Sequence, residues 1–269
     1  MIQRLRRRTR QTLRLSSLGA HVALGVGIVL VVFPWLSIER RRAVQQGWAR
    51  LLLAILGVRL AVRGGESAAG LLVANHISWL DVFVINAHAR TTFVCKDEVR
   101  GWPVFGLLCA RADTVFIDRG SRSAARRVNE TIAARLGAGD RIAVFPEGTT
   151  SDGAGVMAFR AALLQPAIDA GHVLQPLALR YADRHGAIAT EIAYAGETTM
   201  WQSLCAIAAA HDVTAHLAVL EAIPAHDLPR RELAEQAQTA IHAALTHTQI
   251  ATKDIAEEEP DLSLSGELA

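Results

Sequence analysis

The chain has 269 residues, 51% of them hydrophobic, and a mean hydropathy of +0.23, enough for a packed core, too apolar for a disordered protein, and rich enough to call for a membrane contact. Its three cysteines, Cys95, Cys109 and Cys205, have no C-x-x-C spacing, which argues against a disulfide framework or a cysteine zinc site and for a reducing compartment. The net charge of +2 averages a basic start, with ten arginines against Glu39 in residues 1–50, and an acidic end, with six acids and no base in residues 254–269.

The first expected element is a greasy helix. From Leu18 to Leu36 the only strongly polar side chain is His21, and about 20 apolar residues suffice to cross a hydrocarbon core. A signal peptide is the weaker reading, because the run is long and no small-residue cleavage site precedes Glu39-Arg40-Arg41-Arg42. Arginines flank the run on both sides, so the positive-inside rule gives a single span no orientation, whereas both ends at the cytoplasmic face satisfy it. Val44, Trp48, Leu51, Leu52 and Ile55 then recur at helical spacing, either as an interfacial helix or as a stripe packed on the core. Residues 1–57 are therefore read as a membrane-anchoring helical segment.

From residue 58 short apolar runs alternate with longer amphipathic ones. Strands are expected at 59–62, 71–74, 92–95, 114–117, 141–145, 174–180, 188–194 and 215–220, and helices at 79–87, 124–136, 158–170, 199–210 and 228–245. That alternation predicts an α/β fold, a mixed sheet flanked by helices, over 58–250. Residues 251–269 read as an acidic disordered tail.

Serine-hydrolase elbows, P-loops and dinucleotide fingerprints are absent. The dipeptides His211-Asp212 and His226-Asp227 hint at a metal hydrolase, but a strand is expected between them. No metal, resident cofactor or nucleic acid is expected. The informative stretch is Leu71-Leu72-Val73-Ala74-Asn75-His76-Ile77-Ser78-Trp79-Leu80-Asp81. Here a strand enters a polar turn and then a helix, with Ser78 as the expected N-cap. Side chains five apart on a helix diverge by about 140°, so His76 and Asp81 meet only if His76 lies outside it. A histidine held by a carboxylate is an oriented general base.

Three further segments follow in order: Phe116-Ile117-Asp118-Arg119, Phe145-Pro146-Glu147-Gly148-Thr149-Thr150, and Val173-Leu174-Gln175-Pro176-Leu177. With Asn75-His76-x4-Asp81 they resemble the four motifs of the glycerolipid acyltransferase family, typified by bacterial 1-acylglycerol-3-phosphate acyltransferases. The resemblance covers about residues 58–225, and the Lys96…Pro103…Gly106 stretch and Phe159-Arg160 also look like family features. It implies transfer of a fatty acyl group from an acyl-CoA or acyl carrier protein thioester, a co-substrate rather than a cofactor, to a lysolipid hydroxyl. By the same resemblance His76 and Asp81 are catalytic, and Asn75, Lys96, Arg119, Glu147, Gly148, Thr149, Thr150 and Arg160 form the substrate site. The expected partners are membrane lipids, the thioester donor and the lysolipid, and the expected location is the cytoplasmic face of the inner membrane.

One position departs from the family pattern. Members acting on 1-acylglycerol 3-phosphate usually carry Arg where this chain has Thr150, and an arginine suits a phosphate monoester better than a neutral hydroxyl does. That acceptor, giving phosphatidic acid, remains the first expectation; a lyso-ornithine lipid or other lysolipid is the alternative. A lipid-binding protein of the same fold without the chemistry is the rival from another class.

Overall fold

The computed structural model describes residues 2–117, 122–226 and 228–257, with side chains for 3–117, 126–226 and 228–246. The chain begins with helix α1, Ile2–Gly27, which runs on through a π turn at Ile28–Val32 and a 3-10 turn at Phe33–Trp35. Pro34 accounts for both departures: it has no N–H for the carbonyl four residues back, and its ring crowds that carbonyl. Helix α2, Ile38–Leu56, then doubles back along α1, with Arg41 over Phe33, Trp48 stacked on His21 and Arg14 against Gly57. Gly57 closes α2 in the left-handed region at φ +69°, and the Arg14 guanidinium fills the space that a side chain there would need.

The strands are β1 (Val58–Arg63), β2 (Gly70–Ala74), β3 (Thr92–Lys96), β4 (Val115–Ile117), β5 (Arg141–Val144), β6 (Val173–Ala182), β7 (Val213–Val219) and β8 (Ile223–Pro224). They form one mixed sheet in the order β1-β7-β6-β2-β5-β3-β4, with β8 paired to β6. Strands β6, β2, β5, β3 and β4 run parallel, and β7 lies antiparallel to β6. The mixed α/β fold expected from the sequence is present.

Strand β2 shows why the sheet is covered on both faces. All five of its residues are buried, and successive side chains point to opposite sides. Leu72 and Ala74 enter a cluster with Leu18, Leu52, Leu53 and Leu56 of the N-terminal helices and with α3, Asp81–His88. Leu71 and Val73 enter a second cluster with Ile132 and Leu136 of α5 (Arg122–Gly137), Ala167 of α6 (Gln165–Asp169) and Leu233 of α8 (Arg230–Glu257). The segment read as an anchor is thus also one wall of the core.

Several elements differ from the sequence reading. Residues 188–194 make only an isolated bridge, Ala182 to Ile188, and a 3-10 turn at Thr190–Ile192: the segment meets β6 on the flank that β6 shares with β2, where the Ala189 N–H donates to the Tyr181 carbonyl, and the turn after β2 already pairs with that flank at Leu179. Residues 158–170 divide into a 3-10 turn and the short α6. Helix α4, Phe105–Arg111, was not anticipated; its seven residues are too few for a periodic signal. Helix α7 is Met200–Ala209. Helix α8 continues to Glu257, past the start of the expected acidic tail, and residues 258–269 lie outside the described residues.

Candidate active site

Parallel strands end together, so β2, β5 and β3 bring the His76 turn, the Glu147 turn and Lys96 to one edge of the sheet, the usual place for a site in an open α/β sheet, while the Pro176 motif is the start of β6, paired with β2. His76 follows β2, Phe145 to Thr150 follow β5, and Lys96 ends β3 as an exposed side chain. Asp118 and Arg119, which follow β4, lie outside the described residues.

The turn after β2 is fixed from three sides. Asn75 is fully buried; its Nδ2 donates to the Leu179 carbonyl at 2.9 Å and its Oδ1 accepts the Leu179 N–H at 2.8 Å, so it pairs with β6 like a strand residue. The His76 N–H donates to Glu147 Oε1 at 3.2 Å, and the His76 carbonyl accepts from the Ser151 N–H at 2.8 Å. The Tyr194 N–H donates to the Ile77 carbonyl at 2.9 Å. The 188–194 segment thus clamps the His76 turn rather than extending the sheet.

His76 Nδ1 lies 2.8 Å from Asp81 Oδ2. Oδ2 also accepts the N–H groups of Ile77 at 2.7 Å and Ser78 at 3.0 Å. Every one of these contacts supplies a proton, so Asp81 acts as an acceptor and Nδ1 carries hydrogen, which leaves the Nε2 lone pair free to act as a base. Nε2 has no hydrogen-bond partner among the described residues, and the ring, 19% exposed, stacks on Phe145 at 3.9 Å between centroids. Ser78 is not the N-cap: α3 is preceded by Leu80, and Ser78 Oγ is buried without a partner. Asp81 takes the capping role itself by turning back onto the two N–H groups ahead of the helix, where the helix dipole favours an anion.

Glu147 is buried at 4% exposure, and its Oε2 completes no hydrogen bond. Burial pushes its carboxyl up to about 7 against the field of the His76 and Met157 N–H groups, and the Asp81 charge adds to the rise. The sign of the consequence is fixed. A carboxyl with a higher pKa folded than unfolded binds more protons when folded, so its contribution to stability falls as pH rises from about 4.5 through about 7. Glu147→Gln is therefore expected to melt at a higher temperature than the wild type at pH 8 and at nearly the same temperature at pH 4.5. Equal melting differences at both pH values would contradict it.

Gly148 adopts φ +74°, and a side chain there would strike the Arg160 guanidinium, so the glycine lets an exposed arginine lie across the turn. Thr149 is exposed. Thr150 does not point to solvent: its Oγ1 donates to the Tyr194 carbonyl and closes the clamp. The structure therefore brings Asn75, His76, Asp81, Glu147, Gly148, Thr150 and Arg160 around one turn. Phe145, Ser151 and Tyr181 belong to the same constellation but were not singled out as site residues. The available signal for Tyr181 is a phenol at the end of a largely apolar strand, which needs a polar partner when buried.

An apolar cavity of about 190 Å³ lies between α1, α2, α3, β3 and α4, with Val29, Trp48, Phe83, Phe93 and Leu108 in its walls. Phe93 stacks toward Phe145, which stacks on His76, so aromatic rings connect the cavity to the His76 imidazole. Neither that cavity nor a larger cleft of about 600 Å³ between Arg7, Arg10 and Arg184 is lined by His76 or Asp81. Cys95 and Cys109 also line the apolar cavity. Burial pushes the Cys95 thiol up to about 12 and raises that of Cys109, so both stay protonated and neither is suited to nucleophilic attack. Trp79 donates to Ser203 Oγ at 3.0 Å, and His88 Nε2 meets Ser67 Oγ at 3.1 Å.

A profile of the Acyltransferase family matches residues 59–180. The chain is 35% identical over 257 residues to the lyso-ornithine lipid O-acyltransferase of Pseudomonas aeruginosa, covering 91% of this chain and 97% of that one. It is 39% identical over 169 residues to the 1-acyl-sn-glycerol-3-phosphate acyltransferase of Neisseria meningitidis, covering 61% of this chain and 66% of that one. In fold it is similar to the crystal structure of the 1-acyl-sn-glycerophosphate (LPA) acyltransferase PlsC from Thermotoga maritima, with a TM-score of 0.70 at 19% identity over 91% of this chain and 97% of that one.

Proposed function

We propose, because this chain belongs to the glycerolipid acyltransferase family, that His76 is the general base by which it acylates a lysolipid hydroxyl from a coenzyme A or acyl carrier protein thioester. The observation that carries this reading is the 2.8 Å bond from His76 Nδ1 to Asp81, which presents Nε2 to the acceptor. The hydroxyl proton passes to Nε2 as the oxygen attacks the thioester carbonyl. Collapse of the adduct forms the ester and expels the thiolate, which takes the proton back from the imidazolium and leaves as free thiol. Asp81 stabilises the imidazolium in between, and no acyl-enzyme is formed. The acyl chain is assigned to the apolar cavity lined by Phe93.

For the acceptor, two observations favour a lyso-ornithine lipid. The relative matched over 97% of its length carries that name, and Thr150, the position where a phosphate-reading arginine is expected, is committed to the Tyr194 carbonyl. The second reading, 1-acylglycerol 3-phosphate, is favoured by Arg160 across Gly148, whose planar fork suits phosphate oxygens. Purified full-length protein assayed with both thioesters and both acceptors, following free thiol, tests the function. The expected result is acceptor-dependent thiol release with the higher kcat/KM on the lyso-ornithine lipid. Thiol release without ester formation on either acceptor would sink the reading.

The same proposal places the enzyme on the cytoplasmic leaflet of the inner membrane. Residues 3–35 are long and apolar enough to cross a bilayer, yet Arg10, Gln11 and Arg14 donate to carbonyls at residues 205–210 of α7 and its cap. Gln46 and Arg50 of α2 donate likewise to carbonyls at residues 87 and 88. The outward face of α1 carries exposed Leu13, Leu24 and Val31 and ends at Trp35, 87% exposed, with Trp201 exposed on neighbouring α7. Fastened in this way, α1 lies on the domain and offers the bilayer a stripe. Arg4, Arg6, Arg7 and Arg8 add attraction to anionic lipid, roughly 1 kcal/mol each near the surface. The combined variant Leu24→Asp, Val31→Asp, Trp35→Asp is expected to lose flotation with anionic vesicles while keeping its melting temperature. Undiminished flotation would contradict this placement.

A further inference from the structure

The Asp81 carboxylate has a fourth donor. Tyr181, on β6, is buried and its hydroxyl donates to Asp81 Oδ1 at 2.7 Å. Oδ2 already serves His76, Ile77 and Ser78, so Tyr181 holds the oxygen that the turn leaves over. The placement follows from strand register. The paired hydrogen bonds between Asn75 and Leu179 align the turn with β6, and Tyr181, two residues on, faces the same side of the sheet as Leu179. Burial and the Asp81 charge drive the phenol well above its usual pKa of 10, so it remains a donor throughout the working range.

We propose that Tyr181 is a positioning residue of the reaction, whose hydroxyl fixes the plane of the Asp81 carboxylate and tempers its charge, and so sets both the aim and the basicity of His76. A carboxylate held at one oxygen only can rotate about its Cβ–Cγ bond and exchange the oxygen offered to Nδ1; a donor on Oδ1 prevents the exchange. The phenol dipole also takes up part of the negative charge that stabilises the imidazolium. Among the described residues, the titratable groups facing the pair are Tyr181 from β6 and Glu147 from the turn after β5. Burial holds the Glu147 carboxyl up at about 7, so a pH–rate profile would register Glu147 as well, and the imidazole itself must be observed.

The test uses full-length Tyr181→Phe in detergent micelles, labelled with 15N-histidine. His76 is picked out among the ten histidines by the resonance missing in His76→Ala. The expected results are a kcat lowered roughly tenfold or more, KM values for both substrates unchanged, and a His76 pKa moved upward, because an untempered carboxylate holds the imidazolium more tightly. In an Asp81→Asn background the same change is expected to alter kcat less than twofold, since the effect is transmitted through that carboxylate. An unmoved or lowered His76 pKa, or an equal loss of kcat in both backgrounds, would reduce Tyr181 to a packing residue. Should Tyr181→Phe fail to fold, 3-fluorotyrosine at position 181 keeps the ring and donates more strongly, and must then lower the His76 pKa. The proposal rests on His76 as base, and the two fail differently: full turnover in His76→Ala removes the base, whereas an inactive His76→Ala with an unmoved titration in Tyr181→Phe removes only the tyrosine.

Discussion

Turnover by His76→Ala is expected to fall by roughly 10²- to 10⁴-fold, the range a positioned general base supplies, with expression and melting temperature held. The structure explains why the two readouts separate. The imidazole is partly exposed and its side chain has two partners, the Phe145 ring and Asp81. Removing it takes away one of four donors on Asp81 and leaves the N–H groups of Ile77 and Ser78 and the Tyr181 hydroxyl in place. The backbone bonds of residue 76 to Glu147 and Ser151 need no side chain. Thiol release with a saturating lysolipid measures the effect, and turnover near wild type in a folded variant would show that another group takes the proton.

Asp81→Asn is expected to lower kcat by roughly 10²-fold or more with modest change in KM. Its amide oxygen can take the Oδ2 position and accept from His76, Ile77 and Ser78, while its NH2 faces a Tyr181 hydroxyl rotated to accept. Geometry is preserved and the charge is lost, so the imidazolium formed during transfer has no counter-ion. Asp81→Ala separates structure from chemistry. It orphans two buried N–H groups and a buried hydroxyl, each worth about 1–3 kcal/mol when left unpaired, and should show in melting as well as in rate. If Asp81→Asn turned over like the wild type, the carboxylate would serve the fold alone.

How much of this could be read from the chain varied with the range of the interaction. Strand β2 and the His76–Asp81 pair were legible because apolar run, polar turn and helix are contiguous, and a five-residue gap brings the two side chains together only across a turn. Glu147 and Gly148 were legible from the Pro-acid-Gly turn after an apolar strand. The fourth donor on Asp81 was not, since Tyr181 lies 100 residues away and only the register of β2 against β6 brings it there. The 188–194 segment has the alternation of a strand, but the flank of β6 that it meets is already taken by β2 and its turn as far as Leu179, a fact of topology. Thr150 was noticed for the side chain it lacks; that its hydroxyl ties down Tyr194 depends on a loop 44 residues further on.

The bonds from Arg10, Gln11 and Arg14 to α7 join residues 194 to 199 positions apart. Helix α1 thus finds its fastening in a segment synthesised 194 to 199 residues later, and so far-reaching a contact forms slowly. In the interval an exposed apolar stripe must be shielded, and the bilayer is the available shield. Membrane contact then serves as a waiting place during synthesis before it serves as an anchor. Refolding from denaturant is accordingly expected to succeed in the presence of lipid vesicles or micelles and to end in aggregation without them.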